Sequence, residues 1–368
     1  MKLSRRIENI EESPTVALDE KIRQMKKDGL TVYDFVAGVP EYGTPQEIVE
    51  SAKKALDNGF TKYSDVSGLN ELKVRIAREN DVGQKNVMIT NGGKEALYLA
   101  FLSVLNEGDE VIVLNPYWVS FNEQIKLAGA SPVTVSVNDS YEPGLEDIAK
   151  SITENTRAIV INTPNNPTGA VYKRETIAGI AELSKRHNLW VISDEAYDFF
   201  VYDGEHFSVS GFAPENTIKV NSMSKKFAMT GWRIGYAVSG EEVVSAMSRL
   251  KSQISGNVHT YGQKGAAEAY EMDDKVLQDM YQDTRNKRDY IVDELKSRYE
   301  FSYPHGAFYL WAKVPNGFDS DLSFAEHMLE KNVAIMPGRA FGREDYFRLC
   351  YAGPWANLKK GVEILKRK

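Results

Sequence analysis

At 368 residues the chain is long enough for two domains or one large one, and its 42% hydrophobic and 26% charged content is ordinary for a soluble globular protein. A net charge of -7 without a dominant basic patch argues against nucleic acid as a partner, and no run is long enough to span a membrane. The single cysteine, Cys350, excludes an internal disulfide and fits a reducing compartment, which points to the cytoplasm. The five histidines (His187, His206, His259, His305 and His327) are scattered without ligand spacing, so no metal site is expected. The N-terminus carries basic residues but lacks the apolar segment of a secretory signal.

In chain order, strands are expected at 86–90, 110–114, 132–137, 158–162, 190–193, 218–220 and 234–238. These runs are rich in Val and Ile and are bounded by Gly, Asn, Asp or Pro. Helices are expected between them at 95–105, 121–128, 174–187 and 241–254. Such alternation implies a mostly parallel sheet with helices on both faces. The pattern changes after about residue 255. A charged helical stretch from 263 to 298 leads into a mixed segment: 307–312, a helix at 324–331, 333–336, 346–351 and a last helix to Arg367. This reads as a smaller α+β domain of 1–43 and 280–368, set against a large domain of 44–279. No repeat or low-complexity segment interrupts either.

Ligands of an open α/β sheet bind at the carboxyl ends of its strands. Each chemically suggestive motif follows a predicted strand. Ser222-Met-Ser-Lys-Lys-Phe-Ala-Met-Thr-Gly-Trp-Arg-Ile-Gly235 places a lysine, two hydroxyls and an arginine at fixed offsets. Lys225 can form a Schiff base with a phosphorylated aldehyde cofactor, and Ser222, Ser224 and Arg233 can hold the phosphate. The plain alternative is a basic, serine-containing surface loop. Thr90-Asn-Gly-Gly-Lys-Glu-Ala96 opens a helix, and Gly92, Gly93 and Lys94 can receive an anion there or form a simple turn.

Tyr117-Trp118 offers an aromatic face for stacking, or a core pair with no function. In Asn165-Asn-Pro-Thr-Gly169, the Asn166 side chain can donate to a ring oxygen, or the segment is an ordinary Asn-Pro turn. In Ser193-Asp-Glu-Ala-Tyr197, Asp194 can pair with a protonated ring nitrogen or cap a following helix, and Tyr197 can donate to a ring hydroxylate. Arg348 lies within the apolar run Phe347-Arg-Leu-Cys350 and suits either a substrate carboxylate or a structural salt bridge.

Together, the Asn165–Gly169, Ser193–Tyr197 and Ser222–Gly235 motifs resemble the signatures of class I aminotransferases, which depend on pyridoxal 5′-phosphate (PLP) and share the fold-type I architecture. The likeness runs from Ala37-Gly-Val-Pro-Glu-Tyr-Gly-Thr-Pro45 to Arg348. It implies a seven-stranded, mostly parallel large domain with a smaller α+β domain. It implies Lys225 as the Schiff-base lysine and proton shuttle, with Lys226 an ordinary side chain. Asp194 would pair with the ring nitrogen, Asn166 and Tyr197 would bind the ring 3′-oxygen, and Trp118 would stack. Ser222, Ser224, Arg233 and the backbone at Gly93 and Lys94 would hold the phosphate. Arg348 and Gly38 would take the substrate, and Tyr63 would reach the phosphate of a neighbouring subunit in a homodimer.

The family's best-known aspartate enzymes read the distal carboxylate with an arginine of the other subunit. This chain has no arginine between Arg249 and Arg285, where it would fall. Gly92-Gly-Lys94 and Ser13-Pro-Thr-Val16 resemble a second subgroup instead, which implicates Lys94 and Thr15. Transfer between aspartate or glutamate and 2-oxoglutarate or oxaloacetate is therefore expected. Aromatic, prephenate or kynurenine donors are the alternative, and a C–S lyase a more remote one.

Overall fold

A computed structural model describes residues 3–8, 10 and 14–367, without the side chains of 5, 6, 14–17 and 19. Seven strands form one sheet in the order Val87–Thr90, Gly235–Val238, Thr217–Ser222, Trp190–Asp194, Thr156–Asn162, Glu110–Asn115 and Ser131–Ser136. Each falls within two residues of an expected strand. All run parallel except Gly235–Val238, which is antiparallel to both neighbours.

Alternation along the strands divides the core between two faces. Val111, Val113, Ala158 and Val160 pack on one side with the helices Gly93–Val104 and Glu241–Ile254. Ile112, Leu114, Ile159 and Ile161 pack on the other with Arg174–His187. Both faces are covered by helices, which is why these strands read as continuous apolar runs.

A four-stranded antiparallel sheet joins Met336–Pro337, Tyr346–Cys350, Tyr309–Lys313 and Phe301–Ser302. Tyr33–Asp34 pairs in parallel with Val333–Ala334, which ties the start of the chain to its last third.

The expected single helix over 263–298 is two helices, Thr260–Glu268 and Asp274–Leu295. The second starts where the Asp273 side chain accepts the Lys275 N–H at 2.8 Å, a cap that composition alone left hidden inside a helix-favouring stretch. Three helices preceding the phosphate-loop motif (Pro14–Lys27, Gln46–Asp57 and Asn70–Glu79) and the short Leu145–Lys150 were not expected. The last three lack side-chain N-caps, so their starts carry no signal of that kind. Among the described residues, no helix is long and apolar enough to cross a membrane.

The antiparallel strand shapes the edge where ligands bind. Its amino end lies where its neighbours have their carboxyl ends, with Gly235 opposite Thr90 and Ser222. A β-carbon on Gly235 would overlap the Gly93 nitrogen and the Gly92 backbone. Gly235→Ala is therefore expected to cost about 1–3 kcal/mol, the usual penalty of overpacking, read as a lower midpoint in urea unfolding.

Candidate active site

A cavity of about 340 Å³ opens at that edge. One end is a cradle for an anion. The helix Gly93–Val104 presents its N-terminus after Gly92, whose φ of +80° suits a residue without a side chain. A β-carbon on Gly92 would strike the Arg233 guanidinium, so the bare glycine is what admits that group. Ser222 caps the short helix Met223–Lys226 by accepting the Ser224 N–H at 3.0 Å, and its hydroxyl lies 2.7 Å from that of Ser224. Arg233 adopts a left-handed φ of 55° and gives one N–H to the Thr230 carbonyl at 2.9 Å. Two hydroxyls, a guanidinium and a helix N-terminus converge, a donor set suited to phosphate.

The floor carries Asp194, buried at the end of its strand. Its Oδ1 accepts the Ala196 N–H at 3.2 Å, and no side-chain donor reaches it among the described residues. Burial pushes its carboxyl up to about 7, Glu195 adds in the same direction, and the Ala196 hydrogen bond opposes. Turns follow instead of a helix, so a capping role has nothing to cap. Such a carboxylate calls for a cationic or protonated partner.

Lys225 Nζ donates to the Gly38 carbonyl at 2.6 Å and lies 5.9 Å from the centre of the Tyr197 ring. Burial brings its ammonium down from 10.5 to about 8, and Arg348 and Arg233 push the same way against Cys350 and Asp194. Lys226 turns away to Glu79 at 2.7 Å.

The third wall comes from the small sheet. Arg348 is 4% exposed; it gives one N–H to Asn166 Oδ1 at 2.8 Å and another to the Val36 carbonyl at 2.6 Å. Its Nε has no partner, and no carboxylate pairs with it among the described residues. Among the described residues it therefore forms no structural salt bridge. Asn166 is itself fixed, its N–H donating to Asn162 Oδ1 at 2.8 Å. With its oxygen taken by Arg348, its amide N–H₂ remains to donate. Lys94 stands 5.1 Å over the Trp118 ring, and its ammonium is lowered by lost solvent and by Arg233.

The sequence family described as Aminotransferase class I and II matches residues 31–365. The chain belongs to this family. It is 38% identical to the aspartate/prephenate aminotransferase of Thermus thermophilus, over 99% of this chain and 98% of that one. It is 39% identical, over the same shares, to the aspartate aminotransferase of Thermotoga maritima. The solved T. thermophilus aspartate aminotransferase with maleate superposes at a TM-score of 0.96 with 38% identity, over 99% of this chain and 98% of that one. The T. maritima structure gives 0.93 with 38% identity, over 98% of each chain. This aminotransferase accordingly has the fold-type I architecture, and members of the family use PLP.

Gly38, Gly93, Lys94, Trp118, Asn166, Asp194, Tyr197, Ser222, Ser224, Lys225, Arg233 and Arg348 all line the one cavity. Gly92 sits just behind Arg233. Tyr63 does not join them; it is 98% exposed. The Thr15 side chain and Ser13 lie outside the described residues. Sequence reasoning missed Asn162 and Tyr309. Asn162 ends a strand and clamps both Asn166 and the Asp194 carbonyl, the latter at 3.0 Å. Tyr309 had one available signal, a phenol inside an apolar strand that needs a partner. Among the described residues, no group of three or more His, Cys, Asp or Glu side chains could hold a metal ion.

Because the Lys225 amine is lowered on folding, the unfolded chain holds more protons at this site between about pH 8 and 10.5. Its contribution to stability therefore climbs as pH rises through that window. Urea midpoints of the cofactor-free protein at the two ends should show a larger rise for wild type than for Lys225→Met.

Proposed function

We propose that this aminotransferase exchanges the amino group of aspartate or glutamate with 2-oxoglutarate or oxaloacetate, using PLP held in the cavity. The observation carrying the dicarboxylate reading is a pair of cations without carboxylate partners among the described residues. Arg348 faces the cavity from the small sheet and Lys94 from the first turn of Gly93–Val104. A substrate with two carboxylates matches both. The names of the relatives, aspartate and aspartate/prephenate aminotransferases, support the same choice.

The residues fit the cofactor. The phosphate belongs in the cradle of Ser222, Ser224, Arg233 and the Gly93 and Lys94 backbone. The ring nitrogen belongs against Asp194, the stacking face on Trp118, and the ring oxygen beside the Asn166 amide and the Tyr197 hydroxyl. When bound, PLP supplies an aldehyde for amine exchange and a ring that takes up the electron pair released at the substrate α-carbon.

The chain's own groups do the rest. Arg348 grips the α-carboxylate and Lys94 the distal one, which fixes the α-carbon next to Lys225. Lys225 Nζ, already brought towards neutrality by burial, removes the α-proton. The Asp194 carboxylate would pair with the ring nitrogen and favour its protonated form. Water supplies the oxygen with which the donor skeleton leaves as a 2-oxo acid, and the amino group is kept back for the acceptor that enters next, so ping-pong kinetics follow.

The reading includes a homodimer in which exposed Tyr63 completes the partner's phosphate cradle. It also includes a large domain of 44–279 beside a small one of 1–43 and 280–368, although the helix Asp274–Leu295 runs across that boundary. The free, buried Cys350 agrees with a cytoplasmic location.

The test is a half-reaction. The protein loaded with PLP is given aspartate, glutamate, phenylalanine, kynurenine or cysteine with no acceptor. Stoichiometric 2-oxo acid from aspartate and glutamate is expected. Turnover of aromatic donors alone would overturn the substrate, and steady ammonia release would overturn transamination.

Lys94→Ala removes one charge-assisted contact, worth about 1.5–3 kcal/mol. The preference for aspartate over phenylalanine in kcat/KM should fall about 10- to 100-fold. Unchanged selectivity would remove Lys94 from the substrate site.

A further inference from the structure

Tyr309 belongs to none of the motifs, and none of the roles assigned to the cavity residues uses it. It is 1% exposed on the strand Tyr309–Lys313, and its hydroxyl lies 2.7 Å from that of Tyr197. Its ring packs against the Arg348 guanidinium at 4.4 Å. The register explains this contact. Trp311 is directly opposite Arg348, so Tyr309, two residues away, is the diagonal neighbour on the same face. The hydroxyl end abuts Gly38, where a β-carbon would overlap it, and the Gly38 carbonyl receives Lys225. One phenol thus touches Tyr197, Arg348 and the glycine whose carbonyl holds Lys225.

The contact between the two hydroxyls has a direction. Each phenol has one proton to give. Burial holds both well above the ordinary phenol value, so both are protonated at neutral pH. Among the described residues, neither hydroxyl has a second hydrogen-bond partner, so within the pair either can donate. A Tyr197 that gives its proton to the ring oxygen has none left for Tyr309. The 2.7 Å contact is then a hydrogen bond only if Tyr309 donates.

We propose that Tyr309 is a positioning residue whose hydroxyl donates to Tyr197 and thereby aims the Tyr197 proton at the ring oxygen of the bound cofactor. The proposal rests on the reading of the cavity as a PLP site. Two hydrogen bonds in line polarise each other, so the second strengthens the first. The Arg348 and Gly38 contacts keep the Tyr309 ring from swinging out of line. Substrate binding at Arg348 and the hydrogen bond at the ring oxygen therefore share a common support.

The test is the pH midpoint of the visible absorption change of the PLP-loaded protein, measured for wild type, Tyr197→Phe, Tyr309→Phe and the double variant. A donor at the ring oxygen stabilises its negative charge and lowers this midpoint. Tyr309→Phe, which keeps the ring over Arg348, should raise it by a few tenths of a unit, and Tyr197→Phe should raise it further. The double variant should match Tyr197→Phe alone, because the Tyr309 proton acts only through Tyr197.

An unmoved midpoint in Tyr309→Phe, or shifts that add in the double variant, would overturn the proposal and leave the cofactor reading intact. A wild-type protein that takes up PLP without a visible band would overturn both. Gly38→Ala, which pushes a methyl onto the Tyr309 oxygen, is the second route to the same bond should Tyr309→Phe fold poorly. It too should raise the midpoint, and an unchanged one would count against the proposal.

Discussion

The cavity is organised by charges that lack counter-charges. A buried ion costs several kcal/mol unless it is paired and hydrogen-bonded. Asp194 has one backbone donor, Arg348 has a carbonyl, an amide oxygen and an orphaned Nε, and Lys94 has an aromatic face. The neighbour of Asp194 makes the contrast plain. Glu195 is fully buried yet receives Ser193, Ser208, His206 and Lys219, all within 3.0 Å. Against the cost of burial, Lys219 and these hydrogen bonds bring its carboxyl down to about 2. Adjacent carboxylates are thus shifted in opposite directions. One points into a finished ionic network behind the sheet, and the other into the cavity.

Topology makes this concentration of charge possible. Parallel strands bring the ends bearing Asn162, Asp194 and Ser222 to one edge. The antiparallel strand adds Arg233 from its amino end to that edge, beside the N-terminus of Gly93–Val104. The small antiparallel sheet then brings Arg348 across the opening, where Asn166 and Val36 receive it. The anion cradle and the unpaired Arg348 guanidinium therefore sit on different sheets, held in relation by the hydrogen bond between Arg348 and Asn166.

Much of this was legible in the sequence, for physical reasons. The inner strands of the main sheet are covered on both faces, so they stand out as apolar β-branched runs, whereas the edge strand Ser131–Ser136 is largely exposed and is marked by its alternating valines. The site residues are polar exceptions at the ends of those runs. The illegible parts are those without local punctuation. The break between Glu268 and Asp274 lies in sequence that favours helix on both sides. Tyr63 was expected from the resemblance alone, and within this chain it stands in solvent outside the cavity. Tyr309 lies in an apolar strand, and its polar contact is with a residue 112 positions away, beyond any pattern of spacing.

The segment 36–38 adds a last constraint. Its carbonyls receive two of the cations that face the cavity: Val36 takes Arg348 and Gly38 takes Lys225. A neutral carbonyl satisfies a donor without matching its charge, whereas a carboxylate adds an opposite charge and can take two parallel bonds from a guanidinium. A carboxylate at Arg348 would therefore gain over the Val36 carbonyl, while a neutral ligand of the same shape would not. Lys225 is held to the Gly38 carbonyl at the same 2.6 Å as Arg348 to that of Val36. One short backbone segment thus keeps two cationic side chains of the cavity ordered without lending either a counter-charge.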